Sequence, residues 1–148
     1  MPGTIPAARQ HLIDDIAKLA RRTRGAPLPL PAFVQAYYRG VGEEDLQARD
    51  CAAFAASAAG ALSFGTVRPA GEPRVRVFNP QLQRDGWESP HTIVEVVTED
   101  MPFLVDSLAV VLSDSRLPIQ LMIHPVLRIA RDRRGKLLSM EEHDGALG

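Results

Sequence analysis

The chain has 148 residues, and 17 lysine and arginine residues against 18 aspartate and glutamate residues leave a formal charge of -1. Hydrophobic residues make up 45% and charged residues 24%, a balance that excludes an intrinsically disordered chain and provides enough apolar surface for one core. Because there is no net basic excess, a dedicated nucleic-acid binder is also excluded.

Cysteine and histidine usage restricts the chemistry further. Cys51 is the only cysteine, which excludes an intramolecular disulfide and a cysteine-built zinc site. Its thiol, close to a predicted helix start, either has a lowered pKa or is inert among alanines. The histidines show no metal-ligand spacing, so we expect no metal. No apolar run approaches the roughly 20 residues of a membrane helix, and we expect a cytoplasmic protein.

The first third of the chain has the pattern of helices. Apolar residues spaced by three and four predict a helix over residues 6–24. Alternate prolines over 27–31 predict an extended connector. A second helix is expected to begin at Pro31 and to stop before Gly40, and the acidic residues 43–45 favour a short helical turn.

A third long helix is predicted over residues 51–64, because this stretch is rich in alanine, the residue with the highest helix propensity. Asp50 is the expected N-cap, since its carboxylate can accept from a free amide of the first turn. We therefore interpret residues 1–66 as a helical leader.

Strands and one helix alternate over residues 67–148, which we interpret as a second, α+β unit packed with the leader. Period-two alternation and β-branched residues predict the strands, and Pro102 suits the first turn of the helix. Pro125 predicts a bulge or an edge position inside one strand. The expected elements are strand 74–78, strand 92–98, helix 102–114, strand 119–129 and strand 136–142.

These elements predict a ferredoxin-like, mostly antiparallel sheet against which the N-terminal helices pack. A hairpin would join the first two strands, and the last strand would insert between its predecessors. The predicted sheet order is 74–78, 92–98, 136–142, 119–129.

Four segments carry a resemblance to a known family. They are FVQAYYRGVGEEDLQARD (33–50), RVRVFNP (74–80), TEDMPFLVDS (98–107) and HPV (124–126). Together they resemble the N-terminal region of the large bacterial NAD-specific glutamate dehydrogenases, over about residues 33–136. In that family the region is an ACT-like domain, distant in sequence from the dehydrogenase core.

The resemblance implies a parent enzyme that converts L-glutamate and NAD to 2-oxoglutarate, ammonium and NADH. It implies no catalytic residue in this chain, and no G-x-G-x-x-G pattern follows a strand here. We expect a non-catalytic regulatory or assembly module that binds no NAD itself. The alternatives are an independent ACT-type amino-acid sensor and a purely structural interaction domain.

ACT domains often bind amino-acid effectors at the loop between their first strand and first helix, where free helix amides attract a carboxylate. Many such loops carry a glycine at the position that Phe103 occupies here. Asp100 either accepts a ligand's ammonium group or caps the helix. The resemblance therefore implies an effector site at Thr98, Asp100, Met101, Pro102, Phe103 and Leu104.

Four residues are candidates for an interface with another copy of the domain or with the rest of the parent enzyme. Gln120, Met122 and His124 share the strand face opposite the presumed core, although His124 has the alternative of a packed, hydrogen-bonded side chain. Trp87 is either an interface anchor or a large residue that fills the core. We expect no nucleic-acid or membrane partner.

One local charge cluster lies on the predicted hairpin turn. It either contacts an acidic surface or an anion, or is a solvated turn. Its members are Arg128, Arg131, Arg133, Arg134 and Lys136.

Overall fold

The computed structural model describes residues 7–21 and 30–141. Helices make up the first part of the chain and antiparallel strand pairs follow in the second, as in an α+β protein, and the predicted α+β class is confirmed. The elements are α1 (Ala7–Ala20), α2 (Leu30–Tyr38), α3 (Glu43–Gln47), α4 (Cys51–Phe64), β1 (Arg74–Phe78), α5 (Leu82–Asp85), β2 (Ile93–Val97), α6 (Leu104–Asp114), β3 (Arg128–Arg131) and β4 (Leu137–Glu141).

The core lies among the N-terminal helices. Ile13 and Ile16 of α1 are 0% and 1% exposed, and Tyr38 of α2 is fully buried. The Tyr38 hydroxyl donates to the Phe54 carbonyl oxygen of α4 at 2.6 Å, and the two rings meet edge to face with centroids 5.3 Å apart. Burial of these apolar side chains stabilises the helices far more than their intrinsic propensity does.

The predicted helices agree with this structure where residues are described. α4 has the expected bounds, and the Asp50 carboxylate accepts from the Ala53 amide at 2.8 Å, as an N-cap does. α1 lies within the predicted range 6–24. Most of the expected connector falls in 22–29, outside the described residues.

β1 and β2 form an antiparallel pair in which Arg74 lies opposite Val97 and Phe78 opposite Ile93. The expected hairpin between these strands is confirmed. Its orientation is unusual, since Arg76 and Phe78 are half-buried while the β1 valines are exposed. The inner face is turned toward α4, where the Arg76 guanidinium lies over the Phe64 ring, 4.8 Å from its centroid.

The single four-stranded sheet predicted from the sequence is wrong. Within the described ranges the strands form two separate pairs, β1–β2 and β3–β4, and β4 does not join β2. The start of β4 pairs instead with the segment after α4. The Leu137 amide donates to the Thr66 carbonyl oxygen at 2.7 Å, and the Arg68 amide donates to that of Gly135 at 2.9 Å.

This pairing buries Leu137, which is 8% exposed and belongs to the same core as the N-terminal helices. The pairing with Thr66 and the burial of Leu137 draw the β3–β4 hairpin toward the helices and away from β2. The division of the chain at residues 66 and 67 into a leader and an ACT-like domain stays a prediction.

The predicted strand 119–129 is also mostly wrong. Only its end is a strand, β3, and residues 117–127 have no regular structure. Pro118 and Pro125 lack backbone donors for a ladder, and within the described ranges no strand pairs with this segment. The irregularity that we expected at Pro125 lies instead between Ala130 and Arg131, where the register with β4 shifts.

α6 contributes no buried residue. It begins at Leu104, two residues later than predicted, and no side chain caps it. Val111 of this helix is 60% exposed. No helix among the described residues is long and apolar enough to span a membrane.

Candidate functional site

The loop from Thr98 to Leu104 is open to solvent. Thr98 and Leu104 at its ends are half-buried, and the five residues between them are exposed. Met101 is 47% and Phe103 76% exposed. The six predicted effector residues thus lie close together because they belong to one short loop.

Phe103 has the most unusual backbone in this loop. Its φ of 65° lies in the left-handed region, which disfavours a residue with a Cβ and favours glycine. This is the position at which many amino-acid-binding ACT loops carry glycine. Phe103 therefore has a backbone conformation that glycine adopts more easily, while its ring is largely in solvent.

Asp100 does not cap α6, because the N-cap position is Phe103 and no side-chain cap accepts from the free amides of the first turn. Its neighbour Glu99 is 67% exposed and lies 3.8 Å from the guanidinium of Arg68. The carboxylate of Asp100 is exposed and thus open to a ligand. Its role in effector binding stays a prediction.

The interface candidates lie in different surroundings. Gln120 and His124 are exposed and Met122 is half-buried, but their segment is irregular, so they do not share a strand face. Trp87 is only 4% exposed, with the Arg49 guanidinium 5.4 Å from its ring centroid. Burial favours the alternative in which Trp87 fills the interior.

A cleft of about 150 Å³ lies between α4, the inner face of β1–β2, and α5. Two ion pairs line it. Arg76 and Glu95 meet at 3.0 Å, and Arg84 and Asp85 also at 3.0 Å. The hydrogen bond from Arg84, followed by that from the Gln81 amide, lowers the pKa of Asp85. Since the four charges already neutralise one another in pairs, the cleft has no excess charge to attract an ion.

Sequence reasoning did not identify the Arg76–Glu95 pair. Arg76 Nε and Nη2 donate to the two carboxylate oxygens of Glu95 at 3.2 and 3.0 Å, and the Phe78 ring centroid lies 4.3 Å from the same guanidinium. The signal was present, because the predicted hairpin places opposite charges directly across from each other.

In the described parts of the chain, no pKa shift elsewhere indicates an activated nucleophile. Burial, followed by the carboxylates of Asp15 and Asp50, raises the pKa of the Cys51 thiol, which favours the inert alternative. Burial raises the pKa of Tyr37 and Tyr38 far above the usual range of a phenol. Among the described residues, no group of three or more histidine, cysteine or carboxylate side chains is placed to hold a metal ion.

Residues 33–147 match the family model described as "Glutamate dehydrogenase, ACT1 domain". This match covers most of the chain, and the chain belongs to that family. The resemblance stated from the sequence is confirmed. No solved structure matches this chain.

Two curated relatives are NAD-specific glutamate dehydrogenases. That of Halomonas elongata is 35% identical over 115 residues, which are 76% of this chain and 7% of the relative. That of Pseudomonas aeruginosa is 42% identical over 66 residues, which are 45% of this chain and 4% of the relative. This chain therefore corresponds to a small part of each relative's length.

Proposed function

We propose that this chain is a non-catalytic N-terminal regulatory or assembly module of an NAD-dependent glutamate dehydrogenase in the cytoplasm. The parent reaction converts L-glutamate and NAD to 2-oxoglutarate, ammonium and NADH. The family match and the names of the two relatives support this proposal. NAD would bind in another part of the enzyme.

The observation that carries the assembly role is the outer face of the β1–β2 pair, which we call the valine face. It consists of Val75, Val77, Val94 and Val96. The first three are 59%, 63% and 48% exposed, and in register Val75 lies opposite Val96 and Val77 opposite Val94. Covering such a patch is favourable by about 25 cal/mol for each Å² of apolar surface.

The two strands also have free outer edges within the described part of the chain. Unpaired backbone amides and carbonyls at a strand edge can pair with another strand. An apolar face beside open edges is typical of an element that completes its packing in an assembly. The partner would be the rest of the parent enzyme, with a second copy of the domain as a further contact.

The assembly role is tested in the full-length enzyme by Val77→Lys, which places a charge on the valine face. Leu82→Lys is the control, because Leu82 is similarly exposed at 58% but belongs to α5. We expect Val77→Lys alone to reduce the assembled mass in light scattering. Equal masses for both variants and the unmodified enzyme would contradict the assembly role.

The non-catalytic character has a direct test as well. The separate 148-residue chain should show no glutamate-dependent reduction of NAD, measured by NADH absorbance. Turnover by the pure chain would overturn the proposal. An open reading frame that continues well past residue 148 would exclude the alternative of an independent sensor.

Effector sensing at the Thr98–Leu104 loop is the second candidate function, favoured by the glycine-like backbone of Phe103. A thermal-shift panel with each amino acid, 2-oxoglutarate and NAD tests it. A ligand at 100 times its dissociation constant adds about 2.7 kcal/mol to folding stability. A selective shift that Asp100→Ala removes would support an effector site, and a flat panel would favour the purely structural alternative.

A further inference from the structure

Three arginines converge on the turn that follows α4. Arg131 Nη1 donates to the carbonyl oxygens of Thr66 and Gly135 at 3.2 and 2.8 Å. Arg74 Nη1 donates to the Val67 carbonyl oxygen at 2.7 Å. Arg74 Nη1 also donates to the Phe64 carbonyl oxygen at 2.9 Å, and this bond acts as a C-terminal cap of α4. The other acceptors belong to the turn after α4 and to the β3–β4 hairpin.

Arg68 lies at the same place, since its amide donates to the Gly135 carbonyl oxygen. Its side chain is 11% exposed, and its carboxylate partner Glu99, 3.8 Å away, is mostly in solvent. Desolvation, followed by the positive charges of Arg68 and Arg74, lowers the pKa of Arg131. The three charges are therefore close enough to repel one another, and one exposed carboxylate does not neutralise them.

The neighbouring hairpin increases this excess of positive charge. Residues 128–136 contain five basic side chains and one carboxylate, Asp132, and one of the five, Arg128, is paired with Glu141 at 3.9 Å. Oδ1 of Asp132 is already engaged, because it accepts from the backbone amides of Arg134 and Lys136 at 2.8 and 2.9 Å. Arg131 Nε is buried and has no acceptor among the described residues. Capping of α4 explains neither the unpaired donor nor the charge excess.

We propose that Arg68, Arg74 and Arg131 bind a small dianion of the phosphate or dicarboxylate type. Guanidinium groups match the paired oxygens of both ligands, and an oxyanion is the kind of acceptor that Arg131 Nε lacks. Because Arg68 is recessed, a small ion reaches it more readily than the side chains of an acidic protein surface do. The site is independent of the proposed assembly role.

The test is a titration of the ¹⁵N-labelled 148-residue chain at pH 7.5, followed by amide chemical shifts. Sodium phosphate and disodium glutarate are the two probes, with sodium chloride used to keep the ionic strength constant. We expect saturable shifts at the amides of Thr66, Arg68 and Gly135. The probe that produces them identifies the ligand type. Saturation by neither probe would overturn the proposal.

Variants show whether the three arginines are responsible. Arg131→Gln removes a charge-assisted contact, so we expect the dissociation constant to rise about tenfold or more. Arg133→Gln is the matched control, because Arg133 is exposed on the same hairpin. We expect the dissociation constant of this variant to stay within about twofold of that of the unmodified chain. Equal losses would indicate nonspecific charge attraction and overturn the site. Arg68→Gln gives the same comparison if Arg131→Gln does not fold.

Discussion

At the scale of single residues, Phe103 combines an unfavourable backbone with an exposed ring. The left-handed conformation costs a residue with a Cβ about 1 kcal/mol, and the solvated ring recovers little of this through packing. Strained positions of this kind are typical of functional segments, in which a particular conformation is kept although it lowers stability.

Phe103→Gly should therefore raise the thermal midpoint of the chain by about 3 °C, since relief of about 1 kcal/mol has this effect on a domain of this size. Calorimetry or circular dichroism measures the midpoint. Phe103→Ala is the control, because alanine keeps the Cβ that makes the conformation unfavourable. The same gain in both variants would contradict backbone strain as the cause.

Asp14 is the residue from which we expect a pH effect. Gln35 and Gln10 donate to its Oδ1, each at 2.8 Å. These hydrogen bonds, that of Gln35 first, lower its pKa. A carboxyl group with a lowered pKa in the folded state stabilises the fold above its unfolded value of about 3.9, and this contribution is lost as the pH falls through the folded value.

Asp14→Asn should consequently cost about 1 kcal/mol of unfolding free energy at pH 7, a modest value because the group is partly exposed. The difference from the unmodified chain should vanish below the folded pKa of Asp14. Urea denaturation at several pH values measures this difference in unfolding free energy. A difference that is constant from pH 7 to pH 3 would exclude the carboxylate as its source.

At the scale of elements, prediction succeeded where the signals are local. The bounds of α4 follow from its alanines and the Asp50 cap, and those of β1 from its alternation. The same alternation does not reveal which face is buried. Hydropathy favours valines inside, but the rings of Phe64 and Phe78 and the Glu95 carboxylate hold Arg76 there instead.

Long-range pairing was beyond prediction for a related reason. The expected place of β4 beside β2 depended on the ferredoxin-like pattern, whereas the actual partner is the turn after α4. The contact of that turn with Gly135 joins residues far apart along the chain, and no periodic pattern in the sequence indicates it. Likewise, the position of the loop 98–104 was predictable, but the side-chain surroundings of its residues were not.

The contact between the hairpin and this turn can be tested at Gly135. Its φ is 83°, and an added Cβ would clash with the carbonyl group of Arg68. Gly71 has a similar φ of 78° but open space around it. Gly135→Ala should thus cost roughly 2 kcal/mol or more of unfolding free energy, and Gly71→Ala about 1 kcal/mol from the backbone conformation alone. Chemical denaturation measures both free energies. Equal costs would show that the hairpin moves away from the added Cβ at little energetic cost.

At the scale of the whole molecule, stability is distributed unevenly. α4 contributes Phe54, Ala58 and Leu62 to the core, whereas α6 contributes no buried residue. Regions with few buried apolar contacts open at a lower free-energy cost. The described chain thus combines a well-packed helical part with the β1–β2 pair and α6, which complete less of their own packing.

Hydrogen exchange should show this difference. We expect the central amides of α6 in the separate chain to exchange at least about 100-fold faster than those of α4. Mass spectrometry of peptic fragments measures both. Comparable protection of the two helices would contradict the expectation. Slower exchange of α6 in the full-length enzyme would locate the surface that assembly covers.

The valine face also determines how the separate chain must be handled. The arginines of β1 point inward toward α4, so they cannot repel another strand that approaches the outer side. A short, apolar, unprotected strand edge is a template for intermolecular β-sheet growth, and its rate rises with protein concentration. Insolubility of the 148-residue chain at high concentration would therefore be a property of its native surface and not a sign of misfolding.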